Sequence, residues 1–196
     1  SAWRVIQATK RDNSTSVYRH YINCCEALGI TDITHAIDQM IVLDYIIANE
    51  DRHLNNFGLI RNAETLEWLG VAPVFDSGSS LGYDKLPAQI LSGKDVDCKP
   101  FKKKHEEQLR LVTDYHWINF AALENIEEDI KKVFAEAGMY ADENRLQAVV
   151  SSVKRRISNL QALAHEKADV IDNIEDDVLD NIAEDYVNGD DEDLEL

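Results

Sequence analysis

Proline and cysteine are scarce in this chain, and long apolar runs are absent. Its 196 residues include three prolines, eight glycines and three cysteines. So few helix breakers in a chain that is 44% hydrophobic point to a globular, helix-rich protein. No apolar run approaches the roughly 18–20 residues a membrane-spanning helix needs. The opening stretch, SAWRVIQATKRDN, has no basic start followed by an apolar segment, so it does not read as a signal peptide. It also lacks an initiator methionine, as expected of an excerpt or of a naturally truncated protein. Cys24, Cys25 and Cys98 are odd in number and the first two are adjacent, the pattern of a protein kept in a reducing cytoplasm. His20, four residues before Cys24, offers the start of a metal pair, but with no second pair at ligand spacing both read as packing residues.

Basic residues stop at Lys167. Residues 168–196 hold 13 of the 37 acidic residues, leaving 24 acidic against 20 basic residues in 1–167. The net charge of −17 is therefore mostly a property of the tail. No broad basic surface is available for phosphate backbones, so direct nucleic-acid binding is not expected. A basic partner for the tail is the complementary expectation.

What remains is mainly α with a small β-hairpin. Residues 14–28 read as a helix started by Ser14 or Thr15 and stopped by Gly29. Residues 34–48 (THAIDQMIVLDYIIA) are apolar around most of their circumference, which marks a central helix. The runs 57–61 and 65–69 read as strands about a turn at NAE, and 71–75 as a further extended run. Residues 82–100 read as a long surface loop. Helices are expected at 101–113, 115–137 (stopped by Gly138) and 142–166, with a separate acidic amphipathic helix at 168–187 before a frayed end. Trp3, Trp68 and Trp117 read as packed residues, and Lys102–Lys104 and Lys154–Arg156 as solvated helix faces. The expected domains are thus 1–167 and a tail, 168–196.

One stretch breaks this pattern. NEDRHLNNFGLI, residues 49–60, brings an aspartate, an arginine, a histidine and three asparagines to the end of a core helix. Polar groups near a core need partners or a task, since burying one unpaired costs about 1–3 kcal/mol. If the two strands pair, Asp76 returns close to Asn56, and Asp51 lies five residues earlier in the same loop. Two carboxylates and a carboxamide then meet at a sheet edge. Such oxygen donors suit magnesium, which takes one or two carboxylates and keeps waters and substrate phosphates as its other ligands. Aspartate, four residues, asparagine, then a later aspartate is also the polar order of kinase catalytic machinery.

DRHLNN resembles the Asp-Arg-His-x-x-Asn loop of phosphoinositide-type kinases and their relatives. NFGLIRN…APVFDSGSSL, with the later KPF…HEEQLRLV, resembles the carboxy-terminal catalytic region of bacterial HipA-like serine/threonine kinases. The likeness covers about 1–165 in general pattern and 44–81 specifically. It implies the mainly helical large lobe of a two-lobed kinase, with 82–100 in the place of an activation segment. By that resemblance Asp51 orients the substrate hydroxyl, Asn56 and Asp76 hold Mg2+ against ATP, and His53 lies near the transferred phosphate. Ser77 falls beside the nucleotide and Arg52 braces the loop. Asp76 is followed by Ser77 and Gly78 rather than by phenylalanine and glycine.

No glycine-rich loop or early-strand lysine precedes residue 51, so a separate small lobe is an expected partner. The resemblance implies ATP- and Mg2+-dependent transfer to serine or threonine on a protein, and admits a toxin–antitoxin setting. A lipid substrate is the second reading. The three lysines of loop 82–100 are matched by three aspartates, which favours protein over a membrane lipid. A non-catalytic pseudokinase that binds through its acidic tail is the third. Lys85 and Lys94 are candidate substrate contacts, although solvated loop lysines are the simpler reading.

Overall fold

A computed structural model describes residues 1–136 and 142–189, with the helical backbone alone from residue 170. The chain divides into a compact unit, Ser1–Ile157, and a second one beginning at Ser158. The described residues are mostly helical with one two-stranded antiparallel sheet, as the composition led us to expect. Among them no helix is long and apolar enough to cross a membrane.

The first unit is built around α3 (Ile33–Ile46). Ile33, Ile37, Ile41 and Tyr45 recur every four residues and all are buried, as are Met40 and Val42. Fully burying one such aliphatic side chain contributes about 1.5–3 kcal/mol. α2 (Val17–Ala27) packs on α3, α1 (Ala2–Gln7) on α2, and the short α5 (His105–Leu109) also on α3. Ser16, not Ser14 or Thr15, caps α2, its hydroxyl accepting the Arg19 N–H at 3.1 Å. Ser14 is instead turned toward Asp12, which accepts its N–H at 2.7 Å. α2 ends in a Schellman motif: Gly29 takes φ 82°, its N–H donates to Glu26, and the Ile30 N–H to Cys25.

β1 (Leu59–Arg61) pairs with β2 (Trp68–Val71), Leu59 facing Val71 and Ile60 facing Gly70. The second strand starts three residues later than 65, because the turn is longer than NAE. Asn62 Oδ1 accepts the N–H groups of Glu64 and Thr65, and Leu66 takes φ 62°, so the turn uses residues 62–67. Beyond Val71 the run to Phe75 is not a strand, and Val74 and Phe75 are exposed.

Three helical expectations are corrected. The segment read as a loop, 82–100, contains a short helix, α4 (Pro87–Leu91). The helix expected at 101–113 is only α5. Before it, the Asp97–Lys104 bridge and the Cys98 N–H to Lys103 bond hold the chain in a turn. After it, Asp38 on α3 draws the chain aside: its Oδ2 accepts from Thr113 N (3.0 Å), Thr113 Oγ1 (2.7 Å) and Asp114 N (3.2 Å). The helix expected at 115–137 is a 3-10 turn, Phe120–Leu123, followed by α6 (Ile126–Glu136). Asn119 caps the turn through Ala122 N, and the Asn125 carbonyl then receives the Glu128 and Asp129 N–H groups to restart the helix.

The long α7 (Glu143–Gly189) continues without a break through the stretch read as a separate tail helix. Gly138 and the terminal residues 190–196 lie outside the described residues. Trp3 is 45% exposed rather than packed, whereas Trp68 and Trp117 are half-buried. Ile130 on α6 and Val149, Val150 and Val153 on α7 form a second small core.

Candidate active site

The polar stretch begins where α3 ends, in a second Schellman motif. Ala48 N–H donates to Tyr45 and Asn49 N–H to Asp44, with Ala48 at φ 53°. Here an alanine occupies the left-handed position that glycine fills in α2, at a cost of about 1–2 kcal/mol. The motif turns Asn49 back onto α3, where its Nδ2 donates to Asp44 Oδ1 at 2.8 Å. Asn49 Oδ1 in turn accepts the Asp51 N–H at 3.2 Å.

Arg52 is fully buried, and all five of its N–H donors are used. Nε and one Nη2 hydrogen form a bidentate pair with Asp44, at 2.8 and 2.9 Å. The other Nη2 hydrogen goes to Ser77 Oγ at 2.9 Å. Nη1 donates to the Asn56 carbonyl at 2.9 Å and to the Phe75 carbonyl. Two acceptors on one nitrogen lie within roughly 6 Å of each other. One guanidinium thus draws both ends of the 51–56 loop and the 75–77 segment together, on an aspartate fixed in the central helix. Further bonds run beside it: Glu50 N to Ser79 O, Leu81 N to Ile47 O, and Ala72 N to Gly58 O.

Phe57 anchors the far end of the loop in the core. It meets the Tyr21 ring edge-on at 5.4 Å and the Phe101 ring at 6.0 Å. Gly58 is required by close approach, since a Cβ there would lie 2.8 Å from Ser1 Cα. Beside it, Ala2 N–H donates to Phe57 O and Trp3 N–H to Leu54 O.

Asp51 is partly exposed (43%) and pairs with Lys99 Nζ at 2.6 Å. The hydrogen bond from Lys99 is the main cause holding its carboxyl below the ordinary 3.8. Lys99 is itself placed by buried Gln108 on α5. Gln108 Nε2 donates to the Lys99 carbonyl at 2.9 Å, and its Oε1 accepts from Phe101 N (3.1 Å) and Lys102 N (3.2 Å). Asn56 is buried and donates Nδ2 to the Asp51 carbonyl at 3.1 Å, while its Oδ1 accepts no hydrogen bond among the described residues. Asp76 is exposed, takes φ 54°, and forms no hydrogen bond or ion pair among the described residues. His53 is half-buried, and its Nδ1 accepts the Asn55 N–H at 3.2 Å.

The backbones that carry Asp51, Asn56, Asp76 and Ser77 are therefore held together through Arg52, and His53 belongs to the same loop. The chemistry available is one ionised carboxylate beside an ammonium, and two oxygen donors, Asn56 Oδ1 and the Asp76 carboxylate, without partners among the described residues. That donor set suits a hard cation such as Mg2+ better than a soft one. Among the described residues no group of three or more His, Cys, Asp or Glu side chains forms a metal cluster. The Cys24 sulfur lies 3.8 Å from His20 Nε2 and 3.1 Å from Thr9 Oγ1.

Asp44, Lys99 and Gln108 escaped the reading of the sequence. Asp44 carried a signal: a lone aspartate inside MIVLDYIIA must have a partner, and an arginine follows eight residues later. Lys99 and Gln108 had none, since both act through a segment whose sequence reads as loop and helix.

Comparison with protein families, with curated proteins and with solved structures found no match.

Proposed function

We propose that the chain is the helical catalytic lobe of an ATP- and magnesium-dependent kinase, of the HipA-like type, phosphorylating serine or threonine on a protein. The observation that carries this reading is the Arg52 brace. It ties DRHLNN to the Phe75-Asp76-Ser77 segment, the two segments that a phosphoryl-transfer site needs side by side.

In this reading Asp51 orients the substrate hydroxyl and accepts its proton as the oxygen attacks. A lowered pKa keeps it in the acceptor form at neutral pH. The incoming hydroxyl has to share Asp51 with Lys99, whose ammonium adds positive charge where the transferred group passes. Asn56 Oδ1 and the Asp76 carboxylate would hold magnesium, which would supply charge neutralisation at the ATP phosphates. Ser77, whose hydroxyl accepts from Arg52, serves to place Asp76 as well as to border the nucleotide. A small lobe carrying the glycine-rich loop and its lysine completes nucleotide binding. A protein substrate is preferred to a lipid because Lys85 and Lys99 are already paired with Glu50 and Asp51, so neither is free to meet a lipid phosphate.

The test is transfer of labelled γ-phosphate from ATP with magnesium, using protein isolated from its own cells so that a partner lobe is retained. Wild type is expected to label protein, and Asp51→Asn and Asp76→Asn to lose at least 100-fold of that rate with an intact fold. Retained transfer in either variant refutes the assignment. Labelled lipid in place of protein supports the phosphoinositide-like reading instead.

A further inference from the structure

The first unit holds a partly open cavity of about 450 Å³, not lined by Asp51, Asn56 or Asp76, and bounded by the end of α3, residues 81–97 with α4, and one face of α7. Its inner wall is apolar: Ile46, Leu81, Ile90, Val149 and Val153 all pack in the second core. This is the size and character of a small-molecule site.

Its charges are unusual for so acidic a chain. Five cationic side chains line the cavity against three acidic ones. Two of the cations are neutralised, Lys85 by Glu50 and Asp84 and Lys104 by Asp97. Lys94, Arg155 and Arg156 form no ion pair among the described residues, and Asp95 is the one lining carboxylate left to oppose them.

Arg156 is the decisive group. The sequence reads it as part of a solvated helix face, yet it is only 6% exposed. Among the described residues its guanidinium makes one hydrogen bond, from Nη1 to the Tyr45 carbonyl at 2.8 Å, and it lies 4.8 Å from the centre of the Tyr45 ring. The aromatic face offsets part of the charge. Beyond that ring His105 is neutral, since burial first and Arg156 second push it down to about 3. A buried guanidinium with one of five donors used and no carboxylate bound to it is an expensive arrangement unless an anion completes it. Arg155, the preceding residue, is bonded among the described residues to the Leu91 carbonyl alone, at 3.5 Å.

From the apolar wall and the buried, unpaired Arg156 we infer that this cavity binds a small amphipathic anion: one aliphatic or aromatic body with a single carboxylate or phosphate head. The body lies against Ile46, Ile90 and Val153, and the head meets Arg156 with Arg155 and Lys94 at the rim. Asp51, His53, Asn56, Asp76 and Ser77 do not line the cavity, so the inference does not rest on their assignment, although Lys85 and Lys94 of the 82–100 segment do line it.

The probes are octanoate, octyl phosphate, octanol and octyltrimethylammonium, titrated into the whole chain by calorimetry. Octanoate or octyl phosphate is expected to bind at one site at least tenfold more tightly than the neutral and cationic analogues, and the tighter of the two identifies the head group. Arg155→Ala, on the rim, is expected to weaken that binding severalfold, and Arg156→Gln to weaken it further. Should Arg156→Gln fail to fold, Ser152→Trp provides the second check. Ser152 is half-buried and lines the cavity, so the indole fills the space and is expected to abolish binding with the helical circular dichroism unchanged. Equal binding of anion and cation, no binding of either anion, or anion binding that survives Ser152→Trp overturns the inference.

Discussion

Asp44 and Arg52 meet through two parallel hydrogen bonds of 2.8 and 2.9 Å, with both side chains buried. The pair joins the last turn of a core helix to the loop that follows it. Because every Arg52 donor is used, the guanidinium fixes that loop and the segment carrying Asp76 in one piece. Removing either partner leaves an uncompensated buried charge, which costs about 3–5 kcal/mol. Asp44→Ala and Arg52→Ala are each expected to lower unfolding free energy by about that amount in urea titrations. Arg52→Lys is expected to recover little of it, since an ammonium cannot reproduce the planar five-donor fork.

Asp51 and Lys99 give a pH signature. The Asp51 carboxyl is depressed by the Lys99 hydrogen bond, so Lys99→Met is expected to move its midpoint upward toward 3.8 in a carbon-detected NMR titration. A folded pKa below the unfolded one means that the pair stabilises the fold above the unfolded value, and that this contribution is lost as pH falls through the folded one. The effect on stability is expected to be small, because the pair is about half exposed and solvent screens it. A midpoint unmoved in Lys99→Met contradicts the contact.

Asp51→Asn and Asp76→Asn are expected to leave stability within about 0.5 kcal/mol of wild type, since both side chains lie at the surface. A large loss of stability in either, measured by thermal unfolding, shows a structural role in place of a chemical one.

Gln108 holds the turn that presents Lys99. Gln108→Leu breaks three hydrogen bonds, to the Phe101 and Lys102 N–H groups and the Lys99 carbonyl, at about 1–3 kcal/mol for each group that water cannot reach. Hydrogen exchange of the Phe101 and Lys102 amides is expected to speed up at least tenfold. The same variant is expected to reproduce part of the Lys99→Met shift at Asp51.

What the sequence discloses here depends on how local each determinant is. α3 is readable because apolar residues cover most of its circumference, and the stop of α2 because Gly29 is the residue a left-handed position favours. The stop of α3 has no such mark, since Ala48 takes the same conformation under tertiary constraint. The helix expected after residue 100 fails for a distant reason: Thr113 and Asp114 bond to Asp38, 75 and 76 residues away. The candidate site divides in the same way. Asp51, Asn56 and Asp76 stand out by type and spacing, and Arg52 by its loop. Lys99, Gln108 and the buried state of Arg156 depend on contacts between elements far apart in sequence, which no periodicity records.

The most direct test of the central claim places manganese, a paramagnetic stand-in for magnesium, in the site together with ATP and observes the amide NMR spectrum of the chain. The account predicts that Mn·ATP broadens the Asn56 side-chain amide and the backbone amides of residues 51–56 and 76–78, and that Asp76→Asn removes the effect. Broadening confined to the acidic residues after 168, or unchanged in Asp76→Asn, contradicts it.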